Sequence, residues 1–216
     1  MPMSKTNKQI LLVDDHALFA DGLKLILENL DGLDSVTIST DAFAVLSNRE
    51  TLSQYDLVLI DLHMPRFSGF AFLTAVQTQS IPVTVAVISG TEKKSDIERA
   101  LTLGAQGFIP KDSPSDELLS AVSSMLSGQR YLPLHWAGEI DWSPVERESK
   151  SAQTNLTERQ MQVLELMRDG MQNKQIAVVL GVSVSSVKGH IELLFKNLNV
   201  NNRTACVQAA REAHII

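Results

Sequence analysis

The stretch Tyr55–Gly69, YDLVLIDLHMPRFSG, constrains the fold more than any other part of the chain. Leu57, Val58, Leu59 and Ile60 form an apolar block with no polar alternation. Alternation marks a strand with one wet face, whereas an unbroken short block fits a strand covered on both faces, as in a parallel sheet. A lone carboxylate, Asp61, closes the block, and Pro65 and Gly69 keep the strand from continuing. Ligands of open α/β sheets collect at the carboxyl ends of strands. Asp61 is therefore either a turn residue or one member of a site, and the rest of the chain decides which.

Four more strands precede and follow it. Gln9–Val13 is a buried strand ending at Asp14-Asp15, and Val36–Ser39 is a weak second strand. Val83–Ile88 ends at Ser89-Gly90, and Gly107–Ile109 ends near Lys111. Helical patterns lie between them. Ala17–Leu30 carries Leu18, Phe19, Gly22, Leu23, Ile26 and Leu30 on one face, Asp41 is placed to cap a helix to Asn48, and Phe70–Gln77 and Glu92–Leu103 follow. Ser113 is placed to cap, and Pro114 to begin, a helix burying Leu118, Leu119, Val122, Met125 and Leu126. Five β-α alternations with right-handed crossovers require a five-stranded parallel sheet with helices on both faces. Asp14, Asp15, Asp61, Ser89 and Lys111 then converge at one edge.

That convergence has a chemical reading. Three carboxylates brought together repel, and a hard cation with oxygen ligands, Mg²⁺ above all, relieves the repulsion and also binds phosphoryl oxygen. Asp61 is then a carboxylate nucleophile, with Lys111 supplying a point charge and Ser89 a hydroxyl. Phosphatases of the haloacid dehalogenase type also use an aspartyl nucleophile but need a second acid two residues on, where this chain has His63.

The residues DD at 14–15, DLHMPRFSG at 61–69, SG at 89–90 and GFIPK at 107–111 resemble the receiver domain of bacterial two-component response regulators. The resemblance covers about residues 8–127. It implies a flavodoxin-like fold and phosphorylation of Asp61 by a sensor histidine kinase. It also implies Mg²⁺ held by Asp14, Asp15, Asp61 and the backbone carbonyl of His63, and a switch in which Ser89 and Phe108 move together. Asp112 follows Lys111 where many receivers have proline, so the isomer of that bond is left open.

Residues 128–154, with Pro133, Pro144, Gly138, several serines and the charged run VERESK, read as a linker that also holds Trp136 and Trp142. Residues 155–216 read as four helices. Thr157 and Gln160 form a capping box, Gly170 and Gly181 end helices, and Asn173, Ser183 and Asn202 are placed to start them. Val187, Ile191, Leu194 and Leu198 make the core stripe of the third helix. Two short helices joined by a glycine-bearing turn make a helix-turn-helix. The pattern LTERQ…VLELM…G…NKQIA…L…VS…SVKGH…L…V…RTA resembles the LuxR-type DNA-binding domain, and the two halves together resemble a NarL/FixJ-type response regulator. The resemblance places the third helix in the major groove. The expected DNA-binding residues are Asn173, Lys174, Ser185, Ser186, Lys188, Gly189, His190, Glu192 and Lys196. Glu192 stands where relatives often carry a basic or polar residue, and it can accept from cytosine N4.

Charge supports two units. Residues 1–130 hold 10 Lys/Arg against 16 Asp/Glu, while residues 151–216 hold 7 against 5. The basic excess of the second unit is small, so two copies on paired half-sites of double-stranded DNA, as a homodimer, are expected. RNA polymerase is a further candidate partner. No apolar run is long enough to span a membrane and the N-terminus lacks the apolar core of a signal peptide, so a soluble, cytoplasmic protein is expected. The single cysteine, Cys206, excludes an intrachain disulfide and reads as a small buried side chain. The expected function is a transcription factor rather than an enzyme, with phosphorylation at Asp61 releasing and pairing the DNA-binding domain. The alternative is a receiver gated by a small-molecule second messenger or a protein partner.

Overall fold

The computed structural model of the protein describes residues 7–91, 93–136, 138–140 and 156–216. The chain divides into two compact units, residues 1–143 and 144–216.

The first unit is a five-stranded, all-parallel sheet of β1 (Lys8–Val13), β2 (Leu33–Ser39), β3 (Leu57–Asp61), β4 (Val85–Ser89) and β5 (Phe108–Pro110). Their order is β2-β1-β3-β4-β5, so the direction of winding reverses between β1 and β3. Every residue of β3 and β4 is buried, as their unbroken apolar sequence requires. The connecting helices are α1 (Ala17–Leu27), α2 (Ala42–Ser47), α3 (Arg49–Leu52), α4 (Gly69–Thr78), α5 (Lys94–Thr102) and α6 (Ser115–Leu126). One core cluster joins Ile10, Leu12, Leu57, Leu59, Ala86, Ile88 and Ile109 of the sheet to Ala20, Leu23 and Leu27 of α1 and Leu118, Val122 and Met125 of α6.

Several local expectations change. Leu18, read as part of the buried face of α1, is 89% exposed, because Ala20, Leu23 and Leu27 occupy the stripe that meets the sheet. The helix expected from Asp41 to Asn48 is shorter. Asp41 does cap it, accepting from the N–H groups of Phe43 and Ala44, but Asn48 then caps a separate turn, α3, by accepting from Thr51 N–H. The cap of α6 is Pro114 rather than Ser113, and Leu119 and Leu126 are only partly buried. β4 begins at Val85 rather than Val83. No cis peptide bond occurs among the described residues, so the Lys111–Asp112 bond is trans.

The segment read as linker from residue 128 starts with structure. Tyr131 bridges Gly107, Phe108 N–H donates to Tyr131 carbonyl at 3.1 Å, and Tyr131 N–H donates to Gln106 carbonyl at 3.3 Å. The Gln106 side-chain amide donates to the carbonyls of Gly128 and Gln129. The Tyr131 hydroxyl donates to Glu117 at 2.6 Å, and burial together with that carboxylate raises its pKa above the ordinary phenol value. Trp136 lies in a short 3-10 turn, Leu134–Trp136, while Trp142 lies outside the described residues.

The second unit holds α7 (Glu158–Arg168), α8 (Asn173–Leu180), α9 (Val184–Asn197) and α10 (Arg203–Glu212). The Thr157–Gln160 capping box is present, Ser183 caps α9 and Asn202 caps α10. Gln172, not Asn173, precedes α8, and its N–H donates to Gln175 Oε1 at 2.8 Å. Gly181 adopts a left-handed φ of 65°, which a residue without Cβ accepts at no steric cost. Cys206 is fully buried, and burial pushes its thiol pKa up despite the neighbouring Arg203. Two arginines satisfy helix-end carbonyls that the sequence pattern left open. Arg159 donates to Leu180 carbonyl at 2.6 Å, and Arg203 donates to the carbonyls of Met171 at 2.6 Å and Met167 at 3.1 Å. Charged hydrogen bonds of this kind contribute more than neutral ones. Arg203→Ala is expected to lower the stability of the second unit by about 1–2 kcal/mol, measured by urea unfolding. An unchanged midpoint would contradict that role.

Candidate functional site

The site is built where the strands end. Asp14 follows β1 and its N–H donates to Ser39 carbonyl of β2. Asp61 is the last residue of β3, Ser89 the last of β4, and Lys111 follows β5, with its N–H donating to Ser89 carbonyl at 2.8 Å. Parallel pairing brings these ends to one edge, beside the point where the strand order reverses.

The side chains meet there. Lys111 Nζ lies 2.6 Å from Asp14 Oδ2 and 3.1 Å from Asp61 Oδ2, so one ammonium spans two acids that are both almost fully buried. The same ammonium sits 4.6 Å from the centre of the Phe19 ring. Donor atoms of Asp14, Asp15, His16 and Asp61 all lie within 4.8 Å of one another. His16 Nδ1 is 3.2 Å from Asp14 Oδ1 and 3.3 Å from Asp15 Oδ1. Ser89 is fully buried and its hydroxyl accepts from Thr91 N–H at 3.3 Å. His63 N–H donates to Asp61 Oδ1 at 3.3 Å. The His63 ring stands apart, 3.2 Å from Thr91 Oγ1 and 3.3 Å from Asp96 Oδ2. Phe108 is fully buried in β5.

The acid set fits a divalent cation. Asp14 Oδ2 and Asp15 Oδ1 are buried and accept no hydrogen bond. The Lys111 ammonium at 2.6 Å is the charge that faces Asp14 Oδ2. Three carboxylates against one lysine leave excess negative charge in a poorly solvated place, and their oxygen donors are those a hard cation takes.

Gly69 holds the loop after Asp61 against the strand. Its N–H donates to Leu62 carbonyl at 3.1 Å, and a Cβ at this position would run into the Asp61 carbonyl oxygen and come within 2.9 Å of Leu62 Cα. The pattern around residue 61 showed a loop but not this close approach. His16 and Phe19 were also missed as neighbours of the pocket. The signal for His16 was its place directly after the acid pair.

In the second unit, α8 and α9 cross at 108° over a three-residue break, within the range of helix-turn-helix pairs. Val187, Ile191 and Leu194 are buried, whereas Leu198, expected on the same stripe, is only partly so. Ser185, Ser186, Lys188, Glu192 and Lys196 are exposed on α9, with Gly189 and His190 partly so. Lys174 is exposed on α8 and Asn173 half-buried at its first position. No single helix among the described residues is long and apolar enough to cross a membrane.

An acid-lined edge on a wound parallel sheet, linked in one chain to a helix-turn-helix unit, defines a signal-receiving switch coupled to a DNA-binding module. Residues 10–123 match the response regulator receiver domain, and residues 154–210 match the bacterial regulatory proteins of the luxR family. The chain belongs to the NarL/FixJ-type response regulators, the DNA-binding transcription factors of two-component systems. It is 31% identical over 208 residues to a glycerol metabolism activator of Pseudomonas putida, covering 94% of each chain. It is 31% identical over 201 residues to the nitrate/nitrite response regulator NarP of Escherichia coli, covering 91% of each. Among solved structures it is similar to the response regulator ChrA of a heme-sensing two-component system, with 28% identity, a TM-score of 0.51, and 98% and 100% of the two chains covered. Proteins of this family interact with histidine kinases and DNA, and their receivers bind Mg²⁺ in an acidic pocket.

Proposed function

We propose that Asp61 is the phosphoacceptor. The observation that carries this reading is the Lys111 ammonium held between Asp14 and Asp61. A carboxylate oxygen of Asp61 attacks phosphorus, the new O–P bond forms, and the bond from phosphorus to the donor, a phosphohistidine nitrogen of a sensor kinase or the acyl oxygen of acetyl phosphate, breaks with its electron pair leaving on the donor. Lys111 exchanges part of its ion pair with Asp61 for the arriving phosphoryl oxygens. Asp14, Asp15, Asp61 and the His63 backbone carbonyl would hold Mg²⁺, which supplies charge neutralisation at the phosphoryl oxygens. Ser89 offers its hydroxyl to the phosphoryl group, and Phe108 repacks with it. Because Phe108 N–H is bonded to Tyr131, that repacking pulls on the start of the connector, and the receiver is proposed to extend through Tyr131.

The second unit is proposed to place α9 in the major groove of each of two half-sites, as a homodimer paired through α10, with RNA polymerase as a further partner. Gly189 supports this placement. A glycine inside a helix costs about 0.5–1 kcal/mol relative to alanine, yet a Cβ here would meet nothing within 4 Å. The open space beside it leaves room for a DNA backbone to come close. Gly189→Ala is expected to raise the stability of the second unit by about 0.5–1 kcal/mol and to weaken DNA binding. Unfolding midpoints and DNA titration at fixed salt check both, and unimpaired DNA binding would refute the contact.

The deciding experiment selects DNA from a random pool at fixed salt, with and without Mg²⁺ and acetyl phosphate, using Asp61→Asn as control. Recovery of a paired half-site only with phosphodonor, lost in the control, supports the switch. Equal recovery in all conditions would point to gating by a second messenger or protein partner instead.

A further inference from the structure

The acid pocket contains one donor that the phosphoryl chemistry leaves unused. His16 immediately follows the acid pair and precedes α1, and its backbone N–H donates to Asp14 Oδ1 at 2.9 Å, which fixes where the ring starts. Its Nδ1 stands 3.2 Å from Asp14 Oδ1 and 3.3 Å from Asp15 Oδ1. Neighbouring donors on a six-coordinate ion with bonds of about 2.1 Å stand about 3.0 Å apart. The observed spacing is therefore close to that of ligands sharing an ion. Asp15 Oδ1 is buried with no hydrogen bond of its own, and the Asp61 donor lies within 4.8 Å of the rest.

The two nitrogen-bearing neighbours address different oxygens. Lys111 approaches Asp14 Oδ2 and Asp61 Oδ2, while His16 approaches the Oδ1 atoms of Asp14 and Asp15. An ion on the histidine side can thus be held without displacing the lysine. The tautomer that carries its proton on Nε2 leaves the Nδ1 lone pair available for a metal.

We propose that His16 is a further protein ligand in this pocket, the fourth side chain beside Asp14, Asp15 and Asp61, and shifts its preference from Mg²⁺ toward Mn²⁺. The inference rests on the acid pocket being the cation site. Mg²⁺ is hard and takes oxygen donors, whereas Mn²⁺ stands at the start of the transition series and gains more from an imidazole nitrogen. A plain hydrogen bond from His16 to Asp14 gives a different expectation, because loosening Asp14 would weaken both ions alike.

The test uses the untagged full chain with Mn²⁺ as the probe. Binding is followed by the electron paramagnetic resonance signal of free Mn²⁺, and Mg²⁺ binding by competition. Electron spin-echo modulation of the bound ion reports any directly coordinated ¹⁴N. Wild type is expected to show ¹⁴N modulation that His16→Ala abolishes. In that variant the Mn²⁺ dissociation constant rises about ten-fold, while that of Mg²⁺ changes less than about three-fold. Bound Mn²⁺ without ¹⁴N modulation, or equal losses for the two ions, would overturn the assignment of His16 and leave the acid pocket intact as the cation site. Failure of wild type to bind Mn²⁺, or binding indifferent to Asp15→Asn, would overturn both.

Discussion

Lys111→Met is expected to destabilise the receiver by about 3 kcal/mol in the absence of divalent cation, and to abolish most phosphoryl incorporation. Removing one partner of a buried ion pair costs about 3–5 kcal/mol, because the other charge stays behind uncompensated. Here two acids are left. Asp14 is fully buried and Asp61 nearly so, while the lysine side chain is 16% exposed, which argues for the lower end of that range. Methionine retains the methylene stem, so the loss is one of charge, including the ammonium's contact with the Phe19 ring. The signature is its dependence on Mg²⁺. A cation that binds only the folded state stabilises it by mass action, and the variant has more unbalanced charge for the ion to relieve. Added Mg²⁺ should therefore raise the unfolding midpoint of Lys111→Met more than that of wild type. Urea unfolding across a Mg²⁺ series gives the comparison. Equal slopes for the two proteins would show that Lys111 does not compensate the acids.

Gly69→Ala is expected to damage both the fold and the site. The added methyl would meet backbone atoms of Asp61 and Leu62, which cannot rotate away as a side chain can. Overpacking in a filled interior costs about 1–3 kcal/mol, and more where the backbone must move. The backbone in question carries the proposed phosphoacceptor, so the shift also moves the Asp61 carboxylate relative to Lys111. Phosphoryl labelling by acetyl phosphate should fall by at least about ten-fold, since a displacement of order 1 Å at a reacting group has effects of that size or larger. Comparison with Gly104→Ala separates the two causes. Gly104 has a left-handed φ of 93° and open space around it, so substitution strains the chain without touching the site. Equal labelling losses in both variants would mean that lost stability, not displacement of Asp61, explains the effect.

Much of the receiver was legible because buried parallel strands are continuous apolar blocks, and each block here ends in a residue that cannot be buried unpaired. Leu57–Ile60 followed by Asp61, and Gln9–Val13 followed by Asp14-Asp15, announce both strand and site in one stretch. The helix-turn-helix was legible through its punctuation: the Thr157–Gln160 box, Gly181, Ser183 and Asn202 act within a few residues of themselves. Local hydrogen bonding and periodicity determined these elements.

What the tertiary structure decided are contacts between residues far apart in the chain. Which face of α1 is buried depended on where the sheet lies, and Leu18 came out on the solvent side. Tyr131 joins the edge of β5 through backbone groups, which carry no sequence signal. Gly69 is required by a close approach to Asp61, Arg203 by carbonyls more than thirty residues away, and Asp61 reached Asp14 and Asp15 only when β1 and β3 were paired. A sequence determines what each segment can do by itself. Which groups lie within bonding distance of one another is set by the pairing of strands and the packing of helices, and that is a property of the whole chain.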